Sequence, residues 1–163
     1  MSKLSNSKRS VVKFLKMILL LILTQALFAE RVEITSIKME AQGKEVHFIG
    51  NAKVKKANDW LHAEKVIVYF DENNETRMYE AIGDVTFAFK NEMHAFKGSA
   101  DKVVYDIAES LYKLKGKAVI DDLVNKRHVS SDEIILNMVT GAVDVKGSRK
   151  KPAKLIFDME KQQ

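Results

Sequence analysis

Three acidic residues of this 163-residue chain recur in one sequence motif, and they are the strongest candidates for a catalytic role. They are Glu64, Asp101 and Asp132, and each follows a small residue. Carboxylates that gather on one face of neighbouring strands could cleave a sugar linkage, as in glycoside hydrolases. Because Lys65 and Lys102 lie beside two of these acids, we predict that the acids form cross-strand ion pairs instead.

The other reactive side chains form no catalytic pattern. Asp121 and Asp122 are adjacent, so on a strand they would point to opposite faces. Four histidines are scattered at no spacing typical of metal ligands, and they are His47, His62, His94 and His128. The chain has no cysteine, no nucleophile elbow and no phosphate-binding glycine loop. We therefore predict a protein that is not an enzyme and needs no metal or cofactor, with a hydrolase as the competing class.

A sequence motif centred on glycine recurs along the chain, at Gly50, Gly83, Gly116 and Gly147. The intervals are 33, 33 and 31 residues, a period typical of stacked repeats. Apolar and mostly polar residues alternate on both sides of each glycine, which predicts a strand with one apolar face. The glycine itself falls in the apolar row by this count. The sequence therefore predicts an all-β fold built from stacked repeats of about 33 residues.

A second motif follows each of the first three strands that carry this glycine, which we call the glycine strands. Partway along this motif the apolar residues shift from odd-numbered to even-numbered positions or the reverse, which is a change of parity. Ala63 has one parity and Val66 the other, and the same offset separates Ala100 from Val103. A bulge or bend after the small residue would bring both sets to one face. We predict that each second strand bends there, so that the chain crosses between two opposed antiparallel sheets.

The first 29 residues have the layout of a secretory signal peptide, with a basic leader, an apolar run and small residues at Ala26 and Ala29. We predict cleavage after Ala29, with an uncleaved membrane anchor as the alternative. The leader holds five of the 27 basic residues and none of the 22 acidic ones, so residues 30–163 are neutral. We predict one domain over 30–163 and no nucleic-acid partner.

The apolar rows of stacked strands would merge into one long interior, which is either packed shut or open to an apolar ligand. We predict an open groove, with a closed structural β-solenoid as the alternative. A glycine in the row would let a ligand approach the backbone, whereas a simple bend is the competing explanation. The predicted groove residues are Val46, Phe48, Ala52, Val54, Val66, Val68, Tyr79, Val85, Phe87, Val103, Tyr105, Tyr112, Leu114, Ala118, Ile120, Ile134, Leu136, Val143 and Val145.

The first and last strands of such a stack would leave backbone hydrogen-bonding groups unpaired. We predict that residues 32–39 and 155–159 are edges that join protomers head to tail. The residues expected to make this contact are Val32, Ile34, Leu155 and Phe157. The basic run 149–151 before Pro152 either blunts the edge or meets phosphate groups.

With its two repeated motifs behind a signal peptide, the chain resembles the lipopolysaccharide-transport protein A family (LptA, OstA-like). The resemblance covers residues 31 to about 157 and rests on Gly-Asn or Gly-Asp followed by alternating apolar residues, then a small-acidic-Lys-Val phrase ending in tyrosine. It implies a V-shaped or twisted β-jelly roll of two opposed antiparallel sheets, in the periplasm, that holds lipid A acyl chains between its sheets.

The same resemblance implies partners and a role without bond chemistry. Members of that family associate end to end between an LptC-like inner-membrane protein and an LptD-like outer-membrane protein. We expect this chain to bind lipopolysaccharide as one segment of such a bridge. If the leader is retained, a membrane-anchored LptC-like partner is the alternative.

Overall fold

In the computed structural model, residues 31–90, 92 and 94–158 are described, and they form ten β-strands without a helix. Six strands are long: β3 (Glu45–Lys56), β4 (Asp59–Phe70), β5 (Thr76–Lys90), β6 (Ala95–Asp106), β7 (Leu111–Asp122) and β8 (Arg127–Asn137). Four are short: β1 (Val32–Thr35), β2 (Lys38–Gln42), β9 (Val143–Lys146) and β10 (Lys154–Phe157). The all-β prediction is confirmed. The signal peptide predicted over 1–29 and the predicted edge residue Met159 lie outside the described residues.

All neighbouring strands are antiparallel, and their order is β1-β3-β4-β5-β6-β7-β8-β10. Each end of the sheet is split into two short strands on one long neighbour. β1 and β2 both pair with β3, and β9 and β10 both pair with β8. Within the described residues the sheet therefore does not close on itself, which contradicts the closed-solenoid alternative.

A line of bulges crosses the middle of every long strand. Ile49 pairs with Lys65 and Ala52 with Ala63, so two residues of β3 oppose one residue of β4. The extra pairs have positive φ, and they are Gly50-Asn51 (80° and 46°), Gly83-Asp84 (84° and 44°) and Gly116-Lys117 (75° and 48°). The bend was expected in the second strand, but the extra residue lies in the glycine strand, because glycine adopts positive φ without strain.

The parity change expected in the second strands is confirmed by burial. Ala63 and Val66 are 7% and 1% exposed, and Ala100 and Val103 are 5% and 2% exposed. Residues three apart in a regular strand would face opposite sides. The bulge in the neighbouring glycine strand therefore turns both onto the inner face.

The bulge glycines do not leave room inside the protein. A Cβ added at Gly83 would lie 2.7 Å from Cδ of Glu64, and one at Gly116 would lie 2.9 Å from Cγ of Asp101. Both acidic side chains are exposed, so each missing side chain faces the outer surface. The expectation that a ligand approaches the backbone at these glycines is wrong, and the bend is the reason for them.

The bulge line divides the sheet into two halves. Half A contains β1, β10 and the segments 52–56, 59–63, 85–90, 95–100, 118–122 and 127–131. Half B contains β2, β9 and the segments 45–49, 65–70, 76–82, 102–106, 111–115 and 133–137. Phe89 of half A stacks on Tyr112 of half B with ring centroids 4.4 Å apart, although β5 and β7 are not neighbours. The two opposed layers are therefore the two halves of one continuous sheet.

The hydrophobic core lies between the halves. Fifteen buried hydrophobic residues form one cluster there, and no polar or charged residue of the described chain is buried. Phe87 packs over Gly98, where an added Cβ would lie 3.0 Å from Cε2 of the Phe87 ring. The middle of the interior is therefore filled by the protein's own side chains.

Acidic side chains cap the turns between strands. Oδ1 of Asp71 accepts hydrogen bonds from the backbone N–H groups of Asn73 (2.8 Å) and Glu75 (2.9 Å), which closes the turn between β4 and β5. Asp122 caps the turn after β7 through Val124 (3.1 Å) and Asn125 (3.0 Å). Burial raises the pKa of Asp122, but these hydrogen bonds outweigh it and hold the pKa below its usual value.

Candidate functional site

The predicted groove residues occupy the inner face at different depths. Val143 is exposed, and Val46, Phe48, Val54, Tyr79, Tyr105, Tyr112 and Val145 are half-buried. The fully buried members are Ala52, Val66, Val68, Val85, Phe87, Val103, Leu114, Ala118, Ile120, Ile134 and Leu136. Most of the buried members pack against one another in one cluster. Only the half-buried and exposed members, together with Val68 and Ile120 where they line cavities, could meet a ligand without movement of the halves. Their contact with a lipid stays a prediction.

Two cavities open between the halves near the β1 edge. One has a volume of about 200 Å³ and the other about 290 Å³. The first is lined by Val32, Val54, Lys56, Asp59, Trp60, Leu61, Tyr79, Phe89, Tyr105, Ile107 and Tyr112. The second is lined by Val32, Ile34, Val46, Phe48, Val68, Phe70, Thr76 and Tyr79. Since Val32 and Tyr79 line both cavities, the two spaces adjoin at these side chains.

A third cavity of about 310 Å³ lies at the opposite edge, beside β10. Its apolar lining comes from both halves and includes Phe96, Ile120, Val129, Val143, Val145 and Leu155. Its polar lining includes Asp122, Asn125 and Arg127. The apolar interior therefore has an opening at each edge of the sheet and a packed centre.

Three tyrosines form a row on the inner face of half B. Tyr79 pairs with Tyr105 across β5 and β6, and Tyr105 pairs with Tyr112 across β6 and β7. Their ring centroids are 6.4 and 4.3 Å apart, and Phe89 of half A closes on the last ring. Burial raises the pKa of Tyr112 well above its usual value, so its hydroxyl keeps its proton.

Charged side chains are confined to the outer face and the rims. Glu80 binds Lys102 and accepts a hydrogen bond from the Tyr69 hydroxyl at 2.8 Å. Burial raises the pKa of Glu80, but the hydrogen bonds from Lys102 and Tyr69 lower it by more, so the carboxylate is charged at neutral pH. Burial and the bond to Glu80 raise the pKa of Tyr69 to about 12.

The recurring acids do not gather into a catalytic site. Asp101 lies 3.6 Å from Lys117 and Asp132 lies 3.8 Å from Lys151. These lysines are not the sequence neighbours that we expected, because Lys102 binds Glu80 instead. Glu64, Asp101 and Asp132 lie on alternate strands, whose backbones are about 10 Å apart from one to the next. That spacing is about twice the carboxyl separation of retaining glycosidases and lies at the upper limit for inverting ones.

Two of the histidines pair with nearby acidic side chains. Nδ1 of His128 lies 2.7 Å from Oδ1 of Asp121, and Nε2 of His47 lies 2.7 Å from Oε2 of Glu45. No group of three potential metal ligands is present in the described part of the chain. Over the same residues, no helix has the length and apolar character to span a membrane.

Several cavity residues escaped the sequence-based prediction. Leu61, Phe89, Phe96 and Ile107 line cavities but were absent from the predicted groove. Phe89 continues the alternation of Val85 and Phe87, and Leu61 shares the parity of Ala63, so a stricter extension of each row would have found both. Phe96 and Ile107 lie at the two ends of β6, where the sequence motifs no longer repeat.

Comparison with known proteins identifies the family. The model of the family described as LptA/(LptD N-terminal domain) LPS transport protein matches residues 27–142. No curated protein matches the chain. A solved structure with a similar fold is LptH, the LptA homologous periplasmic component of the lipopolysaccharide transport device of Pseudomonas aeruginosa. It superposes with a TM-score of 0.71 over 80% of this chain and 96% of LptH, at 11% sequence identity. Because the family model spans most of its length, this chain belongs to the LptA/LptD N-terminal domain family of lipopolysaccharide transport proteins.

Proposed function

We propose that this protein carries lipopolysaccharide across the periplasm, with the acyl chains of lipid A held between half A and half B. The observation that carries the proposal is an interior without a buried polar group in the described chain, open at both edges. Each methylene group moved from water into such an interior contributes about 0.8 kcal/mol. The predicted signal peptide, residues 1–29, would deliver the protein to the periplasm.

Loading a lipid with several chains requires the halves to separate. The cavities of about 200 to 310 Å³ lie at or below the lower end of the range for drug-sized ligands, roughly 300–1,000 Å³. The bulge line is the natural hinge, because β-bulges bend a strand without breaking its remaining hydrogen bonds. In this proposal the half-buried side chains at the two edges meet the lipid first, and the packed centre opens as the lipid advances.

Removal of the acyl chains should weaken binding strongly. We expect intact lipopolysaccharide to bind at least about a hundredfold more tightly than the same molecule after chemical deacylation, because even four methylene groups contribute about 3 kcal/mol. Isothermal titration of both ligands would measure the ratio. Equal affinities would show that the sugar carries recognition and would contradict an acyl-binding interior.

We also propose that protomers join head to tail through the two edges. Seven antiparallel steps separate β1 from β10, so the two strands run in opposite directions. When β10 of one protomer lies beside β1 of the next, the pairing is therefore antiparallel and continues the sheet. Such strand addition satisfies the unpaired backbone groups of both edges.

The register of half A suits this junction. One inner row crosses the whole half without a shift: Ile34, Val54, Leu61, Phe87, Gly98, Ile120, Val129 and Leu155. Continued into a second copy, the row places Leu155 opposite Ile34. The adjacent inner positions then place Phe157 opposite Val32. All four side chains of this junction are apolar, so the row would continue across the contact.

The register of half B suits the junction less well. The outer row that begins at Lys38 ends at Lys146, and the row that begins at Glu40 ends at Asp144. An unshifted continuation would therefore set lysine against lysine and acid against acid. Like charges directly opposite one another destabilise an antiparallel pair. We assign the junction to β1 and β10.

Cysteine pairs can test this register, because the chain has no cysteine of its own. We expect Ile34→Cys with Leu155→Cys to form disulfide-linked ladders, since opposed Cα atoms lie about 4.5–5.5 Å apart, within disulfide reach. The shifted pair Ile34→Cys with Phe157→Cys places its Cα atoms about 7–8 Å apart and should link poorly. Non-reducing electrophoresis would measure the ladders.

Two outcomes would count against the junction. One is the absence of any ladder from Ile34→Cys with Leu155→Cys at high protein concentration. The other is equal linkage through half B by Met39→Cys with Val145→Cys, the ends of an inner row, because this pair keeps the opposed charges in place and its linkage would show that they do not decide which half joins.

A further inference from the structure

The row of Tyr79, Tyr105 and Tyr112 presents hydroxyl groups in a mostly apolar opening. All three rings line the cavity of about 200 Å³ near the β1 edge. The row belongs to one inner level of half B, whose other members are apolar, including Val68 and Leu136. Apart from Lys56 and Asp59, the rest of the cavity lining has no charged side chain.

The hydroxyls of this row have no acceptor among the residues that the structure describes. Of the four tyrosines, Tyr69 on the outer face donates to Glu80, and the other three hydroxyls make no hydrogen bond among the described residues. Tyrosine hydroxyls in buried positions usually find a partner. No side-chain oxygen of the described chain is both sealed and unpaired, so these three hydroxyls reach open space.

Water can accept from these hydroxyls while the opening is empty, so a ligand that displaces the water has to supply the acceptor in its place. Ligand sites are mostly apolar with a few placed polar groups that fix orientation. The rings lie 4.3 and 6.4 Å apart, so their hydroxyls form a line of donors at strand spacing along the cavity. An acyl chain carries a carbonyl oxygen, an acceptor, at the point where it joins its polar head.

We propose that Tyr79, Tyr105 and Tyr112 donate hydrogen bonds to the carbonyl oxygens that link acyl chains to the sugar of the bound lipid. The inference rests on the proposed lipid-carrier function and names the chemical feature that the opening selects. The apolar chain passes into the interior, while its ester or amide carbonyl stops at the tyrosine row. The opening then prefers acyl-linked chains to alkyl ether chains of equal length.

A matched lipid pair tests this preference. The probes are 1-palmitoyl- and 1-hexadecyl-glycero-3-phosphocholine, which differ in one ester carbonyl. We expect the wild-type protein to bind the ester about tenfold more tightly, in line with the contribution of one hydrogen bond. The triple variant Tyr79→Phe, Tyr105→Phe, Tyr112→Phe keeps the rings and should bind both probes equally. It should also bind lipopolysaccharide about tenfold or more weakly than the wild type does.

Control measurements separate this inference from loss of fold and from the proposed function. Tyr69→Phe removes a hydroxyl on the outer face and should leave the ester preference intact. Thermal unfolding of the triple variant should match that of the wild type within a few degrees. Equal binding of ester and ether by the wild type, or a preference that survives in the triple variant, would overturn the inference. Failure of the wild type to bind lipopolysaccharide would overturn the carrier function instead, whereas an ester preference lost only in the triple variant would still support the tyrosine row.

Discussion

Valine in place of Gly116 should lower the free energy of unfolding by about 3 kcal/mol or more, the sum of backbone strain and overpacking. Gly116 has a φ of 75°, which a β-branched residue adopts only at a cost. Its added Cβ would also lie 2.9 Å from Cβ and Cγ of Asp101 on the neighbouring strand. Because the bulge bends the sheet, the substitution should also loosen the packing of half A against half B. Urea unfolding would measure the loss.

Gly43 provides a matched control for that substitution. It has a φ of 61° in the turn between β2 and β3, but an added Cβ would meet no atom within 4 Å. Gly43→Val should therefore cost only the left-handed backbone strain, about 1–2 kcal/mol. Asp101→Ala in the Gly116→Val background should recover part of the difference. Equal losses at Gly43 and Gly116 would contradict the contribution of the contact with Asp101, and no loss at Gly116 would contradict the bulge as the structural reason for the repeated glycine.

The glycine period predicted the repeat and the parity change in the second strands predicted a bend, but neither predicted the direction in which each glycine faces. Phe48 and Ala52 are four residues apart and both face inward, as plain alternation requires. The alternation therefore gave no sign that the residues between them, Gly50 and Asn51, leave the strand conformation. Their positive φ values depend on backbone geometry, which an apolar pattern does not encode.

The fourth repeat shows where periodicity stops being informative. Gly147 does not have a positive φ, and an added Cβ would lie 2.8 Å from the carbonyl carbon of Pro152. The chain therefore doubles back after β9, with the Ser148 N–H donating to the Lys151 carbonyl at 2.8 Å, and returns to β8 as β10. The basic run and the proline indicated an interruption, but the return of the chain to the same neighbour depends on long-range pairing. The suggestion that this run meets phosphate groups stays a prediction.

The positions of the cavities that open the interior could not be predicted from the sequence. Periodicity tells which side chains face inward, and Phe87 and Ile120 are indeed buried at 1% exposure each. It does not tell how far apart the two halves lie, because that distance depends on how side-chain volumes fit together. The centre is filled where large residues meet small ones, as Phe87 meets Gly98. Cavities remain near the edges, where the short strands leave the inner face partly uncovered.

Photo-crosslinking to lipopolysaccharide should separate the two faces of the sheet almost completely. Benzoylphenylalanine in place of Phe48 keeps an aromatic side chain at a half-buried position that lines the cavity of about 290 Å³. Lys53 and Lys117 are exposed on the outer face and serve as controls. Since the reactive group labels only atoms that it touches, a lipid between the halves should be captured at Phe48 and not at either lysine.

The same experiment extended to Phe87 tests the central claim most directly, because this side chain is 1% exposed at the packed centre of the interior. If the bulge line is a hinge and the acyl chains occupy the space between the halves, benzoylphenylalanine at Phe87 should capture lipopolysaccharide together with Phe48. Capture at Lys53 or Lys117 with none at Phe48 and Phe87 would place the lipid on the outer surface and contradict an apolar interior as the carrier site.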